Sequence, residues 1–223
     1  MNVGLLRRLV AELIGSALLA ALVIGSGIAA QRLSPDDVGL QLLENAFATA
    51  LGLPVLILVF APISGAHFNP VVSLVDSISG LRSWRDTALY IPTQIIGCIA
   101  GAVLANLMFA DPAITISTTE RQTPAHFLAE VVATAGLILV VFSLARSGRA
   151  NLTPVAVGAY IGAAYFFTSS ASFANPAITI GRMFSDTFAG IAPSSAPGFI
   201  LAQLIGAAVG YLLVRLLHPA RRA

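Results

Sequence analysis

The chain has 223 residues, 57% of them hydrophobic and 10% charged, with a mean hydropathy of +0.88. That composition holds too little polar surface to clothe a soluble globule, and its long apolar runs do not alternate as the strands of a membrane β-barrel would. The formal charge of +2 comes with no basic patch interleaved with aromatics, so nucleic acid is not an expected partner.

The expected fold class is therefore an all-α membrane protein. A helix needs about 20 apolar residues to cross about 30 Å of hydrocarbon, and six segments meet that length, at 5–30, 40–61, 85–109, 124–145, 151–170 and 197–217. The first follows Arg7 and Arg8 as a signal peptide would, but its apolar run outlasts a signal core and no cleavage site leads into a soluble domain, so it reads as a retained helix. Two further apolar segments, 69–78 and 175–184, each open with Asn-Pro. At a rise of about 1.5 Å per residue they reach only halfway across. The lone Cys98 supports no intramolecular disulfide and reads as a small apolar filler. No His, Asp and Cys grouping has metal-ligand spacing, and no serine has a plausible base nearby, so neither a cofactor nor an enzyme is expected.

All twelve basic residues are arginines. With both termini in the cytoplasm, Arg7, Arg8, Arg82, Arg85, Arg146, Arg149, Arg215, Arg221 and Arg222 fall inside and Arg32, Arg121 and Arg182 outside, as the positive-inside rule favours. The sequence also repeats. Ala11-Glu12-Leu13 has a counterpart in Ala129-Glu130-Val131, His67-Phe68-Asn69-Pro70-Val71 in the stretch around Asn175-Pro176-Ala177, and Gln94-Ile95-Ile96-Gly97 in Gln203-Leu204-Ile205-Gly206. One membrane domain over 1–223 is expected, with a first repeat at 1–110 and a second at 111–223. Each repeat has three spans, an odd number, so the second enters from the opposite face and the two meet at the midplane.

Backbone that enters a membrane and turns back is tolerated where it lines a watery cavity. Proline suits the first helical position, which places Asn69 and Asn175 at the caps and Pro70 and Pro176 just inside. Two helix N-termini meeting at the midplane concentrate positive potential that repels cations, while the Asn amides can donate hydrogen bonds to a passing neutral molecule. The alternative is that both are ordinary caps of re-entrant loops.

Ser64-Gly65-Ala66-His67-Phe68-Asn69-Pro70-Val71 resembles the first signature of the major intrinsic protein family, the aquaporins and glycerol facilitators, with Val71 where alanine is usual; Asn175-Pro176-Ala177 reproduces the second. The resemblance extends over nearly the whole chain and includes Glu12, Glu130, Gln94 and Gln203. It implies six transmembrane helices plus two re-entrant half-helices, a homotetramer with one pore per subunit, and water and small neutral solutes as the transported species. It further implies that Glu12 and Glu130 brace the re-entrant loops; proton coupling through them is the alternative.

By the same resemblance a filter of four positions corresponds here to Thr49, Ala163, Ser172 and Ile178, the last standing where the family usually has arginine. Such a set implies an aperture wider and less polar than a water-only one, fit for glycerol, urea or neutral arsenite. The run from Asn175 to Arg182, followed by Asp186-Thr187-Phe188-Ala189-Gly190, is similar to a bacterial subgroup associated with arsenic resistance, and a bacterial inner membrane is the expected location. Arg182 lies one helical turn beyond Ile178 and either puts positive charge at the outer vestibule or snorkels as the half-helix ends. His67 either lines the inner vestibule or bonds within its own loop. A secondary transporter working by alternating access is the rival function.

Overall fold

The computed structural model describes residues 4–218; Arg221 and Arg222, counted above on the inner side, lie outside the described residues. Six long helices and two short ones follow in order: α1 Leu5–Leu33, α2 Val38–Ser64, the half-helix α3 Pro70–Ile78, α4 Trp84–Met108, α5 Pro124–Arg146, α6 Thr153–Phe167, the half-helix α7 Pro176–Gly181 and α8 Ala196–Leu217. The six long elements are apolar enough to cross a membrane, counting the 3₁₀ turn Ala150–Leu152 that leads into α6. Polar caps mark several starts: Asp37 accepts from the Leu40 N–H at 2.9 Å and Ser83 from that of Asp86 at 3.1 Å. Thr123 accepts from the His126 N–H at 3.2 Å, with Pro124 at the first helical position.

Within each half the first long helix packs on the second and third, α1 on α2 and α4, and α5 on α6 and α8; α2 against α6 joins the halves. The third helix of each half carries glycines one turn apart, Gly97 with Gly101 and Gly206 with Gly210. A Cβ at Gly97 would stand 2.6 Å from the Leu13 carbonyl oxygen, and one at Gly210 would stand 2.6 Å from that of Ala135. Only hydrogen at these positions lets the backbones approach so closely. On the outer side of α2 a stripe of Leu43, Phe47, Leu51, Val55 and Leu58 is exposed. In water such a stripe would promote association, whereas hydrocarbon solvates it.

The first and second spans run to Leu33 and Ser64, past the expected 30 and 61, and two other ends that differ from the sequence expectation bear on the site. The fifth span, expected to reach residue 170, stops at Phe167, and Thr168 turns extended with its hydroxyl donated to the Ala164 carbonyl at 2.6 Å. The chain has to leave the helix there for Ser170 to reach Glu130. The second half-helix tightens after Gly181 into a 3₁₀ turn, Arg182–Phe184. Asn106 of α4 donates to the Phe184 carbonyl at 3.0 Å and holds that turn.

Candidate functional site

The two half-helices are fixed by matching hydrogen-bond sets. One Glu12 oxygen accepts from the Ser64 hydroxyl (2.6 Å) and the His67 N–H (3.0 Å), the other from the Phe68 N–H (2.8 Å) and the Gln94 amide (2.8 Å). Glu130 repeats this arrangement, with Ser170 (2.6 Å) and the Phe173 N–H (2.9 Å) on one oxygen and the Ala174 N–H (2.9 Å) and Gln203 (2.6 Å) on the other. Both carboxylates are 0% exposed. Burying a carboxylate is costly unless its acceptor sites are filled, and here each oxygen takes two donors. The loops pay for this geometry in backbone strain: Ala66, Phe68, Ala171, Ser172 and Ala174 all have φ between 47° and 56°, each costing about 1 kcal/mol or more.

Asn69 and Asn175 cap their own helices through Oδ1, which accepts from Val71 N–H at 3.1 Å and Ala177 N–H at 2.9 Å. Each also reaches across the midplane. Asn69 Nδ2 donates to the Ala174 carbonyl and Asn175 Nδ2 to the Phe68 carbonyl, both at 2.8 Å. One N–H of each amide is thus spent tying the half-helices together, and the second is left for the lumen, since both residues line it.

That lumen is a cavity of about 200 Å³, walled by apolar side chains such as Leu53, Ile57 and Val157 and interrupted by a line of polar groups. At one end stands His67: Nδ1 pairs with the Ser73 hydroxyl of α3 at 2.9 Å, and Nε2 faces Arg82 at 3.3 Å and Asp76 at 3.5 Å. Beyond the Asn pair, Thr49, Ser172 and Ile178 all line the cavity and are at most 4% exposed. The buried Ser172 hydroxyl has no partner among the described residues.

Ala163 does not join them. It is exposed on the outer side of α6, and the residue facing the lumen is Tyr165, 3% exposed, whose hydroxyl lies 3.2 Å from Thr49 Oγ1. Successive helical residues turn by about 100°, so a displacement of two positions points a side chain to nearly the opposite side. The buried stripe Val157, Ile161 and Ala164–Tyr165 marks the inward face of α6, but the helix is apolar all round, so its sequence has no period that singles this face out. With a phenol in place of a methyl group, the aperture is bulkier and more polar than the four small or apolar side chains expected from sequence.

Arg182 does not snorkel. It is 2% exposed, its guanidinium carbon lies 3.4 Å from the centroid of the Phe173 ring, and its Nε donates to the Ala189 carbonyl. Arg182 and Tyr165 line both the lumen and a wider vestibule of about 770 Å³, so together they form the neck between the two.

Six crossing helices, two half-helices meeting cap to cap and a lined lumen between them define a membrane channel. The chain belongs to the major intrinsic protein family, whose model matches residues 1–174. It is 49% identical over 218 residues to aquaglyceroporin AqpS of Rhizobium meliloti, covering 97% of this chain and 93% of that one. Aquaporin Z of Brucella melitensis is 29% identical, covering 94% and 96%. The X-ray structure of the aquaglyceroporin from Plasmodium falciparum shares the fold, with a TM-score of 0.69 at 20% identity over 95% of this chain and 96% of that one.

Proposed function

We propose that the chain passes water and small uncharged solutes larger than water, with glycerol, urea and neutral arsenite as candidates, passively down their gradients. The observation that carries this is Ile178, an apolar side chain 4% exposed in the lumen wall, three residues after Asn175. By family resemblance an arginine would stand there. A butyl side chain offers the carbon face of a polyol a dry contact, while Ser172, the free amide N–H groups of Asn69 and Asn175, and the Tyr165 hydroxyl can replace part of the water a solute sheds. The matching braces on Glu12 and Glu130 favour a structural role for both and support a duplicated unit, 1–110 and 111–223. The similarity to a relative named as an aquaglyceroporin supports the same solute class. Arginine distribution supports cytoplasmic termini in a bacterial inner membrane, and family membership supports a homotetramer.

The test is Ile178→Arg in reconstituted vesicles. A cationic, longer side chain in the lumen should cut glycerol and arsenite flux at least about tenfold, equivalent to about 1.4 kcal/mol in barrier height, while sparing water. Undiminished glycerol flux in a correctly folded variant would show that Ile178 does not control entry.

A further inference from the structure

The neck carries two arginines that share one aromatic ring. Arg182 Cζ lies 3.4 Å from the Phe173 centroid and Arg121 Cζ lies 5.3 Å from it. Neither has a carboxylate partner among the described residues. Arg182 donates through Nε to the Ala189 carbonyl; Arg121 donates to the Gly190 carbonyl at 3.0 Å and the Phe188 carbonyl at 3.4 Å. The buried Glu130 is near, but its oxygens are filled by Ser170, Gln203 and two backbone N–H groups. The terminal guanidinium nitrogens of Arg182 therefore have no described partner, on a side chain that is 98% buried and lines the neck. Arg121 lines the same vestibule.

We propose that this neck is a binding site for a small organic oxyanion, a carboxylate or sulfonate bearing one short apolar group, that enters from the wider vestibule and blocks the pore. A guanidinium fork matches two oxygens on one centre. Two such forks, held by a phenyl ring and carbonyls with neither guanidinium paired to a carboxylate and the buried Glu130 the nearest acidic group, present donors that an oxyanion can accept. Thr119 and Thr187 add hydroxyls in the vestibule, and Phe166 and Phe188 offer apolar contact to the remainder of the ligand. Asp186 also faces the vestibule, but it is engaged by the Thr118 N–H at 2.8 Å and its hydroxyl at 3.1 Å. The anion stops at the neck because the walls beyond are mainly apolar and the polar groups nearest the neck are neutral amides and hydroxyls, so entry would strip its hydration with no cationic side chain to replace it.

The inference rests on the channel reading, and methanesulfonate, a permanent anion with a single methyl group, tests it. Glycerol efflux from proteoliposomes is followed with methanesulfonate on both faces, against chloride at equal ionic strength. Flux should fall saturably in methanesulfonate only, and Arg121→Gln, which removes one fork, should raise the half-inhibiting concentration about tenfold, as expected for losing one charged hydrogen bond. Calorimetric titration of the detergent-solubilised wild-type protein with methanesulfonate should show the same site, occupied once per chain. Glycerol flux that is identical in the two salts overturns the inference and leaves the channel intact. Absent glycerol flux in chloride removes the channel reading instead, and the calorimetric titration then decides the site alone: saturable binding supports it and no heat of binding overturns it.

Discussion

Glu130 shows how much a single buried side chain can organise. Replacing it with alanine strands two backbone N–H groups, the Ser170 hydroxyl and the Gln203 amide in a dry interior, at about 1–3 kcal/mol for each unpaired group. Glu130→Ala should lower the thermal unfolding midpoint in detergent sharply and abolish flux. A variant that melts like wild type would contradict the bracing role. Tyr165 and Ala163 give the complementary contrast: Tyr165→Ala should widen the neck and raise the flux of bulky solutes relative to water, while Ala163→Val, on the outer side of α6, should leave flux unchanged in the same vesicle assay. The Asn-Pro caps were legible because proline and a capping side chain act locally. The inward residue of α6 was not, because its register depends on how α6 rotates against α2, where Gly158 meets Pro54.

At the scale of elements, the glycines of α4 and α8 set the helix spacing. Gly210→Leu drives side-chain atoms into the Ala135 carbonyl and forces the α5–α8 pair apart, a cost of about 1–3 kcal/mol for an overpacked site, visible as a lower unfolding temperature. The loop before α5 carries a clamp of serine hydroxyls on a carboxylate. Glu120 accepts from the Ser194 hydroxyl at 2.8 Å and the Ser195 hydroxyl at 2.9 Å, and Ser195 in turn accepts from the Arg121 N–H at 2.8 Å. These hydrogen bonds hold the Glu120 carboxyl below its ordinary range. A depressed carboxylate stabilises the fold above its unfolded-state pKa and loses that contribution as pH falls through the folded value. Amide protection factors in the Glu120–Arg121 loop, taken against the intrinsic exchange rate at each pH, should therefore fall on acidification below the usual carboxylate range and recover on return to neutral pH. Span existence was readable from hydropathy, and the short length of the half-helices followed from the apolar runs themselves. The left-handed residues Ala66, Phe68, Ala171, Ser172 and Ala174 were invisible, since none is glycine and it is the buried glutamate of each half that enforces their conformation.

Across the whole molecule, each half contributes one half-helix and one glutamate brace, and the two Asn side chains lock the halves to one another. Such a core, tied at its centre by hydrogen bonds of 2.8 Å, has no obvious plane along which halves could rock, which suits a pore better than alternating access. The repeated Glu, Asn-Pro and Gln motifs made this level the most legible of the three, whereas the neck, although Tyr165, Phe173 and Arg182 are near in sequence, depends on how the loop between α6 and α7 folds back. Stopped-flow light scattering on proteoliposomes exposed to increasing glycerol gradients, with and without an imposed pH difference, tests the central claim most directly. Glycerol flux that rises in proportion to its gradient and ignores the pH difference is the predicted result; flux that saturates, or that accelerates with the proton gradient, would contradict a passive pore.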